Sequence, residues 1–373
     1  MEIKGIKYVA PFFDMSGYAQ ASRGYALALN RLGTVPMTIN PVSFEQGRSD
    51  LGESGKILKS LIGKDIDYNV VISQLTPEHY QKTREPNKLN IGYSVWETDK
   101  LHPYWVEQIN ETVDLIMTGS KWGVDIYKDS GIKVPVFSVP HGIDMDEYKD
   151  VEPYDIAGVD PAAYKFYSIL QFTERKNPMS LIKSYWQAFQ NNENVALILK
   201  TYRMGFDDKE KQSIKDIITN MKKMMPFDNY PPIYLILDML SREEILGLHK
   251  SGDCCVSLDR GEGFGLVPFE AGACETPIII TGWGGALEYA KAEHSYLVTY
   301  QLEPVFGMPQ SPWDRGEQMW AQPNCEQAVA YMRHVYENQD EAVNKGKVLK
   351  QYISDNFSWD QMAERMVEII KSL

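Results

Sequence analysis

Cysteine is scarce in this chain of 373 residues: four occur, Cys254, Cys255, Cys274 and Cys325. Two are adjacent, and none has the spacing of a zinc site or the density of a disulfide framework. They read as small buried hydrophobes in a reducing compartment. Long hydrophobic runs are absent as well, since no segment reaches the roughly 18 apolar residues of a membrane span. Met1 to Ala10 lacks the apolar run of a secretory leader and reads as a first strand. Positive charge is in deficit, with 38 Lys and Arg against 51 Asp and Glu and a formal net charge of −13. That balance gives no support to a nucleic-acid surface, although it leaves room for a local basic groove. Repeats and low-complexity tracts are missing too. These absences leave an ordinary globular chain, expected in the cytoplasm, with membrane contact peripheral at most.

The length suits two domains better than one. Short apolar runs alternate with amphipathic helical segments, the pattern of parallel sheets with helices on both faces. They predict strands over 4–11, 34–38, 68–73, 89–94, 115–118 and 134–139. A second series falls at 166–172, 196–200, 233–237, 254–258 and 277–280. Residues 150–161 are polar, contain Pro153 and Pro161 and lack periodicity, which places a linker there. The expected fold is α/β, two doubly wound Rossmann-like domains over 1–152 and 162–356. Phe357 and Ser358 precede a final helix that runs to about Ser372, with Ser358 as N-cap.

One segment, Asp253 to Glu270, is the most informative. It predicts a short strand, a turn with Gly261, Gly263 and Gly265, and a helix start with Pro268 in its first turn. Glycines let backbone amides approach a ligand, and a helix N-terminus offers unpaired N–H groups with partial positive charge. That suits a diphosphate. Glu262 and Glu270 bracket the turn, and acids beside a phosphate cradle make sense if they accept hydrogen bonds from the hydroxyls of a ribose and a sugar. A dinucleotide fingerprint fails on spacing, because its third glycine would fall at Leu266 or Pro268. A structural tight turn is the other reading.

Glu262 and Glu270, separated by seven residues, resemble the Glu-x7-Glu signature of the family-4 retaining glycosyltransferases, which have the GT-B fold. The resemblance continues through Ala271 to Ile280 and the Gly284-Gly285 turn. It runs the length of the chain and is strongest from about residue 165. It implies two domains facing a cleft, with the last helix, about 357–373, crossing back to the N-terminal domain. It also implies that Glu262 faces the donor sugar and Glu270 the ribose, with the amides of Gly263, Phe264, Gly265 and Leu266 on the diphosphate.

The loop after the 166–172 strand carries Arg175 and Lys176 at a helix N-terminus whose first residue is Pro178. Two cations there oppose the macrodipole, at about 0.3–1 kcal/mol each, and a bound anion reverses that penalty. A local pair with Glu174 is the alternative. The family pattern is Arg-x4-Lys, both on the donor diphosphate. Lys176 matches, whereas Gln171 stands at the Arg position, and Arg175 or Lys200 would supply the missing charge. Met239 and Leu240, before a capping box of Ser241 and Glu244, fall where the family contacts the nucleotide base.

In the first half, Ser16 and Gly17 head a helix that stops at Gly33 and make a second amide cradle, with Tyr18 beside it on the acceptor side. A capped helix of no further function is the alternative. Tyr93 to Asp99 brings Trp96 and Glu97 to a strand end. The ring would stack on a sugar and Glu97 would accept a hydroxyl proton, or serve as acceptor base. A structural Trp with a surface acid is equally compatible. Many family members have a His in this region, and this chain has none there. His141 reads as a turn histidine, with a place in the cleft as the alternative. The Asp65–Asp67 and Asp144–Asp146 spacings do not lie in the setting of a metal site. The basic stretch Gly55 to Lys64 reads as a surface helix rather than a membrane contact. The expected activity is transfer of a sugar from a nucleoside-diphosphate sugar to a glycan, lipid-linked or small-molecule acceptor, with no cofactor and no metal. A sugar-nucleotide-binding scaffold, or another GT-B activity such as an epimerase, is the alternative.

Overall fold

The computed structural model describes residues 1–44, 51–190 and 193–373. The chain divides into two compact units, Met1–Asp144 with Ser354–Leu373, and Met145–Ile353.

The first unit is built on β1 (Ile6–Ala10), α1 (Gly17–Leu32), β2 (Met37–Pro41), α2 (Gly52–Leu61), β3 (Val70–Gln74), α3 (Tyr80–Thr83), β4 (Leu89–Tyr93), α4 (Pro103–Thr112), β5 (Leu115–Thr118), α5 (Lys121–Asp129) and β6 (Val136–Ser138). Its strands lie parallel in the order β2-β1-β3-β4-β5-β6. The second unit holds β7 (Tyr164–Gln171), α6 (Pro178–Ala188), β8 (Val195–Tyr202), α7 (Asp208–Met224), β9 (Ile233–Ile236), α8 (Arg242–Ser251), β10 (Cys254–Ser257), α9 (Leu266–Ala273), β11 (Ile278–Thr281) and β12 (Tyr296–Val298). Its sheet is also parallel, ordered β12-β11-β10-β7-β8-β9. A hairpin, β13 (Tyr300–Pro304) with β14 (Met319–Pro323), and helices α10 (Cys325–Glu337) and α11 (Gln339–Asn356) follow; α12 (Trp359–Lys371) ends the chain.

Both sheets are of the buried parallel kind, so their strands read as near-continuous apolar runs. Val195 to Thr201 on β8, for example, is buried at every position. Counted from its own first strand, the second unit has the strand order 3-2-1-4-5-6 of dinucleotide-binding folds, and the order reverses between β7 and β10. Ligands of open α/β sheets sit at the carboxyl ends of the strands at such a reversal. All eleven predicted strands are present; the one at 115–118 has the predicted bounds and the others have shifted ends. The strand expected at 34–38 is instead Met37–Pro41. Pro36 has no N–H for the ladder, and its carbonyl accepts from Ile6 at 2.9 Å just before pairing begins.

Three helix starts follow their sequence signals. Ser16 Oγ accepts from Ala19 N, and Gly33 closes α1 in the left-handed region. Ser241 and Glu244 form a capping box on α8, as do Ser358 and Gln361 on α12. The apolar face of α12 contributes Met362, Ala363, Met366, Val367 and Ile370 to the core of the first unit. A Cβ on Gly24 of α1 would stand 2.2 Å from the Trp359 ring, so only glycine fits there. No helix among the described residues is long and apolar enough to cross a membrane.

Candidate active site

The reversal point of the second sheet gathers charge. The loop after β7 brings Arg175 and Lys176, and the loop after β10 brings Asp259 and Glu262. Arg175 Nη1 donates to Glu262 Oε1 at 2.7 Å and to the Gly261 carbonyl at 2.7 Å. Lys176 Nζ donates to the same Glu262 oxygen and lies 3.8 Å from Asp259 Oδ1. Burial works against the Glu262 carboxylate, but Lys176 and Arg175 outweigh it and hold the group below its ordinary range. Burial likewise opposes the Lys176 ammonium, and Asp259 and Glu262 hold it charged. Asp259 is pushed up to about 6 by burial, with Lys176 opposing; Ser257 Oγ donates to its second oxygen. Two cations and two carboxylates thus neutralise one another in a nearly closed site.

Next to this cluster stands the N-terminus of α9. Gly265 is its N-cap in the left-handed region, φ 80°. Leu266 and Val267 are the first two helical residues, so their N–H groups lie outside the helix's own ladder. The Gly284-Gly285 turn backs the loop: Gly285 N donates to the Glu262 carbonyl at 2.7 Å, and a Cβ on Gly285 would meet the Gly263 carbonyl at 1.8 Å. Phe264 is buried against Phe269 and Tyr289, so its ring is turned into the protein. The arrangement offers amides, two cations, and carboxylates that accept hydroxyl protons once the cations turn to an anion.

A second charged centre surrounds Glu270 on α9, which is 4% exposed. Arg242 Nη1 lies 2.6 Å from its Oε1, and His249 Nε2 lies 3.5 Å from its Oε2. Arg242 extends through Nη2 to Glu147 Oε2 at 3.2 Å and Tyr148 Oη at 3.1 Å. Before α8, Met239 is exposed whereas Leu240 is buried, so only the backbone of Leu240 is offered. Lys200, near the end of β8, is 5% exposed with no carboxylate among the described residues in ion-pair range; its ammonium lies 5.1 Å from the centre of the Phe206 ring. Burial pushes it down to about 8, with Asp238 opposing. Gln171 spends its amide on the Arg203 carbonyl at 2.8 Å, which ties β7 to the loop after β8.

In the first unit, Tyr18 Oη lies 3.0 Å from Ser94 Oγ and accepts from Val95 N at 3.2 Å. This joins the helix start at Gly17 to the loop that carries Trp96 and Glu97. Trp96 needs correction as a sugar platform. Its ring packs edge-on against Trp105 at 4.6 Å, its Nε1 donates to Thr98 and Lys100, and it is 4% exposed. Glu97 remains half-buried in the loop. His141 is buried between Tyr25 and Tyr93, and burial pushes it down to about 3.

Sequence reasoning missed Asp259, Arg242, His249 and the pair Glu147 and Tyr148. Asp259 stood two residues past a strand end with the signal of an acid beside glycines. Arg242 was hidden by its place within a capping box. The others come together only through the fold.

Residues 157–301 match the family described as glycosyl transferases group 1. Residues 240–366 match the family-4 glycosyltransferases in conflict systems. The chain is similar to uncharacterized protein 356 of Sulfolobus islandicus rod-shaped virus 1, 23% identical over 292 residues, 75% of this chain and 76% of the viral one. Among solved structures it resembles HepE of Anabaena in complex with UDP-glucose, 14% identical, covering 100% of both chains with a TM-score of 0.67. It also resembles sucrose-phosphate synthase of Thermosynechococcus elongatus, 15% identical, covering 99% of this chain and 98% of that one with a TM-score of 0.69. These likenesses show the fold: two Rossmann-like domains of the GT-B type.

Proposed function

The chain is a glycosyltransferase that carries a group 1 domain and a family-4 domain, and from that premise we propose that it moves a sugar from a nucleoside-diphosphate donor to an acceptor hydroxyl, with retention and without a metal. The observation that carries this reading is the convergence of Arg175, Lys176 and Glu262 at the sheet's reversal point, beside the open N-terminus of α9. The diphosphate takes over the two cations and the amides of Gly263 to Leu266. Stabilising the departing diphosphate in this way lowers the barrier to sugar transfer. Glu262, relieved of its cations, accepts hydroxyl protons of the donor sugar. Glu270 accepts from the ribose, and the loop of Met239 and Leu240 meets the base. Lys200 adds the charge that Gln171 cannot supply. Arg175, Lys176 and Lys200 meet the diphosphate charge in place of a metal ion. Tyr18 and Glu97 are proposed for the acceptor side, where the acceptor is a glycan, a lipid-linked sugar or a small molecule. A cytoplasmic setting belongs to the same proposal, and UDP is the first nucleotide to try because HepE is seen with UDP-glucose.

A thermal-shift panel of UDP, GDP, ADP and CMP on wild type, Lys176→Ala and Glu270→Ala tests the donor site. One diphosphate should stabilise the wild type and neither variant. No shift with any of them would overturn the reading. Transfer that persists in a chelator would support metal independence, and its loss, restored by Mg²⁺ or Mn²⁺, would refute it.

A further inference from the structure

Glu270 is the acid assigned to the ribose, yet in the free protein both of its oxygens face other groups. On the Oε2 side stands His249, fully buried on α8, its Nδ1 braced by Tyr167 Oη at 2.8 Å. On the Oε1 side stands Arg242, whose side chain is 39% exposed. Of these two partners Arg242 is the one that solvent reaches, so a ribose arriving from solvent meets its side first. The guanidinium must therefore shift as the hydroxyls arrive. It has somewhere to go, because it already touches Glu147 Oε2 at 3.2 Å and Tyr148 Oη at 3.1 Å, and its carbon lies 5.9 Å from the centre of the Tyr148 ring. A buried carboxylate that loses its cation without replacement is costly, whereas an exchange of one partner for another is not.

We propose that Arg242 is a positioning residue for the ribose: it keeps the Glu270 carboxylate ionised and aimed in the free protein, and transfers to Glu147 and Tyr148 when ribose hydroxyls take its place. This rests on the reading of the donor site given above. Glu147 and Tyr148 lie in the 3-10 turn Met145–Tyr148 that opens the second unit, immediately after Asp144 ends the first run of the other.

Paired dissociation constants for UDP, GDP and ADP and their 2′-deoxy counterparts test it, on wild type, Arg242→Ala, Arg242→Lys and Glu147→Gln between pH 6.5 and 8.5. The titratable groups that face Glu270 are Arg242 and His249 on α8, Tyr148 on the 3-10 turn, and Cys274 at the end of its own helix, with Glu147 reaching it only through Arg242. Wild type should prefer the ribonucleotide about tenfold, as befits a hydrogen bond to a charged group, with little change over this range. Arg242→Ala should lose most of that preference at pH 6.5 and regain it toward pH 8.5, because a buried carboxylate without its cation ionises less readily. Arg242→Lys should keep part of it at every pH. Glu147→Gln should weaken the ribonucleotide several-fold with no loss of thermal stability. An unchanged or increased preference in folded Arg242→Ala would overturn the proposal, as would full binding by Glu147→Gln. A wild type that binds no nucleoside diphosphate would overturn the donor site itself.

Discussion

The two units share a construction, a parallel six-stranded sheet with loops at its carboxyl end, but they fill those loops with different chemistry. In the first, the buried polar groups are mostly neutral. Tyr25 Oη donates to the Pro140 carbonyl at 2.7 Å and lies 2.9 Å from Tyr93 Oη, with His141 against both. Burial pushes these phenols well above their ordinary range and His141 well below its own, so none of them ionises near neutrality. Asp14 is buried there too, satisfied by Ser43 Oγ and Phe44 N. In the second unit, Arg175, Lys176, Asp259, Glu262, Arg242, Glu270 and Lys200 place ionic charge at or near the strand ends. A neutral network fixes shape at modest cost. A charged one stores interactions that a ligand of opposite sign can claim, which is why the unit rich in ions is the one to expect at the diphosphate.

That contrast can be broken most severely at Lys176. Lys176→Ala should lower kcat/KM by roughly a hundredfold or more, in line with loss of a charge-stabilising group, and abolish the nucleotide's thermal shift. At 100 times the Kd that shift corresponds to about 2.7 kcal/mol. Tyr25→Phe probes the neutral unit. It should cost about 1–3 kcal/mol of stability, measured by urea unfolding, because buried hydrogen-bond partners are left unpaired. Nucleotide affinity should stay unchanged, and a parallel loss would show that the division of labour is false.

Asp259 sharpens the comparison through pH. Its folded value of about 6 lies above the unfolded 3.8, so its contribution to stability is fully present below pH 3.8 and is lost as pH rises through 6. The same protonation gives the cluster a net positive charge. Donor affinity should therefore rise as pH falls from 7 to 5.5, and Asp259→Asn should flatten that slope relative to wild type. Calorimetric titration across the range decides it, and an equally steep slope in the variant removes Asp259 from the account. Lys200 gives the smallest effect. Its folded value of about 8 lies below the ordinary 10.5, so wild type should gain stability relative to Lys200→Met as pH rises from 8 to 10.5. Diphosphate binding near pH 8 should draw in a proton, detectable as a buffer-dependent enthalpy.

Much of the second unit was legible because its signals are local. A strand, three glycines, Pro268 and two acids occupy one continuous stretch, and the helix start at Ser241 is written within four residues, as is the one at Ser358 in the first unit. The first unit's strands were legible as apolar runs, except where Pro36 moved the start of β2. The hairpin of β13 and β14 escaped because Tyr300 to Pro304 is largely exposed and lacks the alternation of a half-buried strand. Trp96 was ambiguous because a tryptophan at a strand end looks the same in sequence whether the ring of Trp105, nine residues on, covers it or not. Arg242 and Glu270 lie on separate helices, and no spacing rule joins them.

The contribution of α12 to the first unit's core governs how the protein is made. Met362, Met366 and Ile370 complete a cluster that begins at Ile6, and Ile143 N is bonded to the Phe357 carbonyl at 2.7 Å. On the ribosome, the second unit has all of its residues before the first does. The 1–144 run of the first unit must wait, its α1 face uncovered beside Gly24, until α12 has left the exit tunnel.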